Sequence, residues 1–319
     1  MKPDWLTGYV PDLPTPFDED GEVDFDAFAR LCERQIVSGA TAIVVGETTG
    51  EAPTLTTGEK AGLVRRAVEV AHGRVRVVAG AGSNATDRAV ELTRQAEAAG
   101  ADAVLSVVPY YNKPMQSGLH AHFRAVAEAT GLPVILHDVP SRTLRELSDT
   151  TLNRLAESEQ FIGLRDSSGD LGRLVRIRTS LPPHFRLLSG DDLTALPFMA
   201  AGGHGCISVV ANLVPELCHA VFASLKEGRP QSSRYLFNRM VPIAELLAAE
   251  HPAALKYALS LLGLIRPTTR LPIVQLNDAA KAEVTKAIAE LGDEEWSDME
   301  ELCPLAGRAT SERSDLSIV

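Results

Sequence analysis

The chain has 319 residues, 45% of them hydrophobic and 23% charged, enough for one large domain with a barrel-sized core and a modest extension. Its net charge of -11, with no cluster of Lys and Arg, argues against nucleic acid as a partner. The first nine residues carry no charged-then-apolar leader, and no apolar run approaches the roughly 18 residues of a membrane-spanning helix. A cytoplasmic protein without a membrane partner is expected. Cys32, Cys206, Cys218 and Cys303 are scattered without a CxxC pair, which predicts buried thiols and neither disulfides nor a zinc site.

In chain order, short β-rich runs alternate with amphipathic helical stretches at intervals of roughly 25 to 35 residues. Candidate strands are Gly8 to Leu13, Ala42 to Val45, Val75 to Ala79, Ala103 to Val107, Val134 to His137, Phe161 to Arg165, Phe185 to Ser189 and Gly205 to Ser208. The intervening helices carry their own signals. Asp24 can N-cap a helix with Phe25, Phe28, Leu31 and Cys32 on its apolar face and Gly39 as terminator. Thr56 and Glu59 form a capping-box pair before Leu63, Val64, Ala67 and Val70. Ala89, Leu92, Ala96 and Ala99 recur at helical spacing up to Gly100, and Leu119, Phe123 and Val126 do so before Gly131.

Eight such units with nearly continuous apolar strands predict an α/β fold, a closed (β/α)8 TIM barrel, ahead of a doubly wound open sheet. Further helical stretches near Gln231 to Ala248, Ala253 to Leu262 and Asp278 to Leu291 form a C-terminal helical extension, with Leu236, Met240, Ile243 and Leu247 on one face. The expected organisation is a barrel over 1–225, a helical annex over 226–291 and a tail over 292–319. The tail lacks apolar periodicity and is expected to lack fixed structure.

In such a barrel the functional groups gather at the C-terminal ends of strands and in the loops that follow. There lie Gly46-Glu47-Thr48-Thr49-Gly50-Glu51 after the second strand and Pro109-Tyr110-Tyr111-Asn112 after the fourth. The fifth ends in His137-Asp138-Val139-Pro140-Ser141-Arg142, the sixth in Arg165-Asp166-Ser167-Ser168-Gly169 and the seventh in Ser189-Gly190-Asp191-Asp192. The N–H groups and hydroxyls near Thr48 can hold a carboxylate. Asp191 and Asp192 read as helix caps rather than metal ligands. A metal set of Glu47, Glu51 and His137 lacks tight ligand spacing, and Asp138 should face away from His137 on a strand. Gly80-Ala81-Gly82 reads as a tight turn rather than a dinucleotide fingerprint.

TTGE, PYYN, VPSRT, LLSGDD and GGHGCISV follow one another in this order, and over Thr7 to Leu291 the chain resembles the dihydrodipicolinate synthase / N-acetylneuraminate lyase family. The resemblance implies a class I aldolase-like site. A strand-six lysine forms an imine with pyruvate or another 2-oxo acid, and a strand-five tyrosine relays protons with a threonine. By the same resemblance Thr48 and Thr49 match the carboxylate-binding pair, and Tyr111 the tyrosine lent by a neighbouring subunit. Arg142 matches the arginine that receives the second substrate's carboxylate, and Gly190 and Ile207 match pocket-wall positions. It further implies a homodimer or homotetramer.

Two positions depart from the pattern. The family reads approximately GxKxxxG where this chain has Gly163-Leu164-Arg165-Asp166-Ser167-Ser168-Gly169, and YNVPSRT where it has His137-Asp138-Val139-Pro140-Ser141-Arg142-Thr143. Glu47 also stands where a small residue commonly precedes the threonines. An imine-forming lysine needs a pKa of about 7 or 8 so that a neutral amine can attack. A guanidinium, with a pKa above about 12, cannot follow. Arg165 is expected either to present its donor fork to a small anion or to pair with Glu47, Glu51 or Asp166. His137 is expected to act as acid or base tuned by an acidic neighbour, or else to be a satisfied wall residue. Tyr110 and Tyr111 read equally as interface aromatics. Lys113 and Lys256 are the candidates for a displaced imine.

Three functions follow. The first is imine-free acid-base chemistry on a small carboxylate such as a 2-oxo acid, carried by Arg165, His137, Tyr111 and Thr48 without a cofactor. The second is a catalytically silent binding or regulatory paralogue. The third is ordinary family lyase or synthase activity, an inference from fold resemblance.

Overall fold

The computed structural model describes residues 3–249 and 251–293. Of the expected tail, two residues close the last helix and the rest lie outside the described residues, as does Cys303. Eight strands, β1 (Gly8–Pro11), β2 (Ala42–Val45), β3 (Arg76–Gly80), β4 (Ala103–Val107), β5 (Val134–Asp138), β6 (Phe161–Asp166), β7 (Arg186–Ser189) and β8 (Gly205–Ser208), form one parallel sheet. Between and after them run α1 (Phe25–Val37), α2 (Thr57–Ala71), α3 (Thr86–Ala98), α4 (Gln116–Glu128), α5 (Pro140–Thr143), α6 (Asp149–Ala156), α7 (Leu171–Arg178), α8 (Ala195–Ala200) and α9 (Pro215–Lys226). The extension comprises α10 (Pro230–Ala249), α11 (Ala253–Leu261) and α12 (Asp278–Asp293).

The sheet runs β1-β8-β7-β6-β5-β4-β3-β2, and the first and last strands meet. Past Pro11 the chain passes from one neighbour to the other. Asp12 N–H donates to Ser208 O at 2.9 Å, and Leu13 N–H donates to Val44 O at 2.9 Å. This seam, with Asp12 bridged to Val44, closes the (β/α)8 barrel and excludes the open sheet. It also ends β1 at Pro11 rather than Leu13, because beyond that point the backbone no longer follows β8 alone. The other strand ends agree with expectation to within a residue.

Alternation along each strand sorts side chains into two layers. Ala42, Val44, Val78, Leu105, Ile135, Leu188 and Ile207 fill the barrel, while Ile43, Val45, Val77, Val104, Leu136 and Leu164 pack outward against the helices. Each fully buried Val, Leu or Ile contributes about 1.5–3 kcal/mol, so this double layer fixes the strand register. The helix signals hold: Asp24 accepts from Ala27 N–H at 2.8 Å, and Thr56 and Glu59 complete their capping box.

The extension packs on the barrel's last units. Leu236, Met240, Ile243 and Leu247 of α10 join Tyr9, Val210, Leu217 and Val221 in one apolar cluster. The turn between α10 and α11 carries His251 back over the strand ends. No helix among the described residues is long and apolar enough to cross a membrane.

Candidate functional site

His137 and Arg165 are register partners on neighbouring strands. With Ile135 pointing into the barrel, alternation sends His137 inward too, and the pairing puts Arg165 beside it. Asp12 at the closing seam and Glu47 just after β2 face them. Arg165 Nη1 lies 2.8 Å from Asp12 Oδ2 and 3.0 Å from Glu47 Oε2, and Nη2 is 3.5 Å from Ile207 O. Nη1 of the fork that could have received an external anion is therefore engaged by two protein carboxylates. Of its three expected partners, Glu47 holds it. Glu51 instead pairs with Lys256, and Asp166 lies 3.5 Å from Arg173.

Glu47 uses both oxygens. Oε2 takes Arg165 and the Thr48 N–H, and Oε1 lies 3.0 Å from His137 Nδ1. Burial alone would raise its pKa, but His137, Arg165 and Thr48 outweigh burial and hold its carboxyl well below the usual range. Asp12 goes the other way. Burial lifts its pKa from 3.8 to about 6, only partly opposed by Arg165 and reinforced by Glu47. Burial likewise pushes His137 below its ordinary value against the pull of Glu47, leaving a neutral imidazole near pH 7. Its other nitrogen, Nε2, lies 3.3 Å from Ser167 Oγ.

Above this cluster opens a cavity of about 220 Å³. Thr48, His137, Arg142, Arg165, Ser167 and Gly190 line it, with Ala244, Leu247 and His251 from the extension. His137 thus touches the cavity although only 2% exposed. The structure brings together Thr48, His137, Arg142, Arg165 and Gly190 of the residues singled out from the sequence. Thr49 is fully buried, its hydroxyl 3.2 Å from His251 Nε2. Ile207 lies in the barrel interior, meeting Arg165 through its carbonyl. Tyr111 is 88% exposed at φ +71°, outside the residues lining this cavity.

Several sequence features serve the fold. Asp191 caps Leu193 N–H, and Asp192 accepts from Ser208 Oγ and from the N–H groups of Val209 and Val210, tying β7 to β8. Asp138 faces outward and takes Arg173 and the Leu147 N–H. A Cβ on Gly80 would stand 2.4 Å from Gly46 O, so the glycine run answers to close backbone approach. Lys113 is exposed. Lys256 is fully buried against Glu51, Thr268 O and the Phe17 ring.

Asp12, Ser167 and His251 were not singled out. Asp12 sits one residue past the end of β1, a position whose polar character in an otherwise apolar run was a usable signal. Ser167 lay within a quoted motif. His251 had none, since only the path of α10 and α11 brings it to the mouth. Burial lowers the His251 pKa to about 3, with Arg142 and Arg165 adding to the effect.

A parallel barrel with titratable groups gathered at the C-terminal strand ends belongs to the (β/α)8 class, which carries its functional groups at that end. The model of the dihydrodipicolinate synthetase family matches residues 6–291, and the chain belongs to that family. It is 47% identical over 289 residues to a 4-hydroxy-tetrahydrodipicolinate synthase of Hyphomonas neptunium, covering 89% of this chain and 98% of that one. A Gluconobacter oxydans protein of the same name is 43% identical over 285 residues, 89% of this chain and 96% of the relative. Among solved structures, the synthase of Methylacidiphilum fumariolicum SolV superposes with a TM-score of 0.90 at 36% identity, covering 93% and 99% of the two chains. The chloride-inhibited Acinetobacter baumannii enzyme, solved with pyruvate, gives 0.87 at 38% identity, covering 90% and 99%.

Proposed function

We propose that this dihydrodipicolinate synthase-like barrel takes a small carboxylate, such as a 2-oxo acid, at its mouth and handles it without an imine. The observation that carries this reading is Arg165, buried between Asp12 and Glu47 at the inner end of β6. The match of Gly163–Gly169 to the family motif supports reading it as the occupant of the imine-forming position. A permanently charged guanidinium held by two carboxylates has neither a free lone pair nor the freedom to acquire one. Arg142 and Thr48 supply the carboxylate's donors, and Gly190 is part of the wall. His137, oriented by Glu47, moves the proton.

Thr49 acts from beneath, through His251, and Ile207 through its carbonyl on Arg165. Tyr111, exposed and left-handed, reaches the site of a second copy in a homodimer or homotetramer. The barrel over 1–225 carries the cluster, and the annex over 226–291 covers it with α10 and His251.

The identity to named synthases favours a second reading, ordinary synthase activity. It requires an amine at the pocket. Lys60, in α2, lines the adjoining cleft with Glu47, Thr48 and Arg142, and burial lowers its pKa. A silent binding paralogue shares every one of these residues, and turnover separates it from the first reading.

The test is incubation with pyruvate and borohydride followed by intact-mass analysis, beside calorimetric titration with pyruvate. Heat of binding with no covalent adduct supports the proposed reading. An adduct on the natural protein, mapped to Lys60 or any other lysine, would overturn it in favour of synthase chemistry.

A further inference from the structure

His137 has both ring nitrogens engaged, and the two partners differ in kind. Glu47 Oε1 stands 3.0 Å from Nδ1, and Ser167 Oγ stands 3.3 Å from Nε2. The carboxylate draws the ring proton to Nδ1 and leaves the Nε2 lone pair toward the hydroxyl. Glu47 is in turn immobilised by Arg165 and the Thr48 N–H on its second oxygen. This is the order of parts that activates a hydroxyl nucleophile: hydroxyl, base within hydrogen-bond reach, and a fixed group that orients the base.

Two further observations point to a ligand at the hydroxyl. Ser167 lines the cavity with Arg142 and Gly190, and Gly190 is required there. A Cβ on Gly190 would stand 2.0 Å from Ser167 Oγ and 3.1 Å from Arg165 Nε. The bare backbone therefore makes room for the hydroxyl and the guanidinium side by side. Arg165 Nε, meanwhile, is buried and has no hydrogen-bond partner among the described residues, an arrangement that costs stability unless something accepts from it. An unpartnered donor beside a nucleophile suits an oxygen that becomes negative during reaction.

We propose that Ser167, His137 and Glu47 form a nucleophile–base–carboxylate triad that transfers the acyl group of a short, carboxylate-bearing ester or thioester to water. Ser167 Oγ bonds to the acyl carbon while its proton passes to His137 Nε2, and the carbonyl oxygen gains charge beside Arg165 Nε. The tetrahedral centre collapses, the bond to the leaving oxygen or sulfur breaks, and that atom takes the proton from Nε2. Water then attacks the acyl-Ser167, giving a proton to His137. Collapse releases the acid, and Ser167 recovers its proton. The net reaction is ester plus water to acid plus alcohol or thiol. Ser167 and His137 touch the reacting atoms, and Glu47 is a positioning residue. Arg142 and the cavity's size choose a short anionic acyl group, and this choice of substrate rests on the carboxylate-pocket reading above. The nucleophile does not.

The experiment treats the full chain with a neutral alkyl fluorophosphonate, then measures intact mass and maps the modified peptide. One adduct on Ser167 is expected, absent in Ser167→Ala and formed at least a hundredfold more slowly in His137→Gln. Glu47→Gln should move the pH midpoint of labelling, a readout that loss of packing alone would not shift. No adduct, or one that persists in Ser167→Ala, overturns the proposal. Since His137→Gln could perturb folding, Ser167→Cys provides an independent arm. Its iodoacetamide alkylation should titrate well below the roughly 8.5 of a free thiol if His137 pairs with it, and a midpoint at or above that value overturns the triad. The probe is neutral, so failure of pyruvate binding would sink the carboxylate reading and leave this one standing, whereas an unlabelled Ser167 would sink this one alone.

Discussion

Arg165 Nη1 stands 2.8 Å from Asp12 Oδ2, joining the end of β6 to the seam where the barrel closes. Both side chains are almost wholly buried, at 4% and 0% exposure, so neither charge has water to fall back on. Removing one partner of such a pair costs about 3–5 kcal/mol. Arg165→Met, which leaves Asp12 and Glu47 facing each other, should lower stability by that amount in urea melts. A loss under about 1 kcal/mol would mean that the cluster is solvated in a way the geometry does not suggest.

Asp12 gives the cluster a pH signature. Its folded pKa of about 6 exceeds the ordinary 3.8, so the native state binds the proton more tightly. Its contribution is greatest below about 3.8 and is lost as pH rises through 6. The natural protein should therefore lose its advantage over Asp12→Asn between about pH 4 and 6, by roughly 3 kcal/mol at most. Glu47, with a depressed pKa, acts in the opposite sense in both proteins and does not enter the difference. Parallel stability curves for the two proteins across that range would contradict the raised Asp12 pKa.

Arg165→Lys tests whether the pocket lacks only its nucleophile. The substituted amine would sit between Asp12 and Glu47, which favour its charged form. Pyruvate trapping by borohydride should appear in the variant and climb steeply between about pH 7 and 9, as the amine loses its proton. Trapping that is absent at every pH would show that the mouth does not seat a 2-oxo acid at this strand end.

Arg142 lines the cavity, is exposed, and makes no ion pair with a carboxylate among the described residues, which leaves its donors to a ligand. A hydrogen bond to a charged group is worth about 1.5–3 kcal/mol. Arg142→Ala should then weaken pyruvate binding by roughly ten- to a hundredfold in calorimetry, with little change in melting temperature because the side chain is exposed. A large melting shift without an affinity change would reassign it to the fold.

Gly190 lies at the crossing of Ser167 and Arg165. A methyl group there, 2.0 Å from the Ser167 hydroxyl and 3.0 Å from Arg165 Cγ, forces both aside, at a cost of about 1–3 kcal/mol. Combining Gly190→Ala with Ser167→Gly removes the closest clash, so the double variant should recover part of the loss. Strict additivity of the two changes would deny the contact.

The barrel was legible because its signals are local and repeated. Caps such as Asp24 and Thr56, terminators such as Gly39, and apolar runs such as Ala42–Val45 each declare one element, and eight repeats declare the architecture. The strand-end site was legible in part for the same reason: alternation from Ile135 puts His137 inside and Asp138 outside. What could not be read were pairings between distant strands. Arg165 could be assigned acidic partners by type, but Asp12 meets it only because the barrel closes at Pro11. His251 reaches Thr49 only through the path of the extension. Ser167 stood in the sequence only as one residue of the run that ends the sixth strand, and it is the β5–β6 register that sets its hydroxyl against His137.

Lys256 shows the same dependence on long-range packing. Placed by α11 against Glu51, Thr268 O and the face of Phe17, it is fully buried. Burial lowers its pKa to about 8, in spite of Glu51. Lys256→Met strands the Glu51 carboxylate with the Arg270 N–H at 3.0 Å as its remaining hydrogen bond, and should cost about 3–5 kcal/mol near pH 7. Adding Glu51→Gln should recover most of that loss, since the double variant leaves no buried charge unpaired. The pH dependence follows from the sign of the shift. Between about 8 and the ordinary 10.5 the folded state holds fewer protons than the unfolded chain, so the natural protein gains stability as pH rises through that window. Lys256→Met lacks this gain, and the gap between the two proteins should widen from pH 8 to 10, by no more than about 1.4 kcal/mol per pH unit. A gap that narrows instead would mean that Glu51 holds the ammonium charged more strongly than burial opposes it.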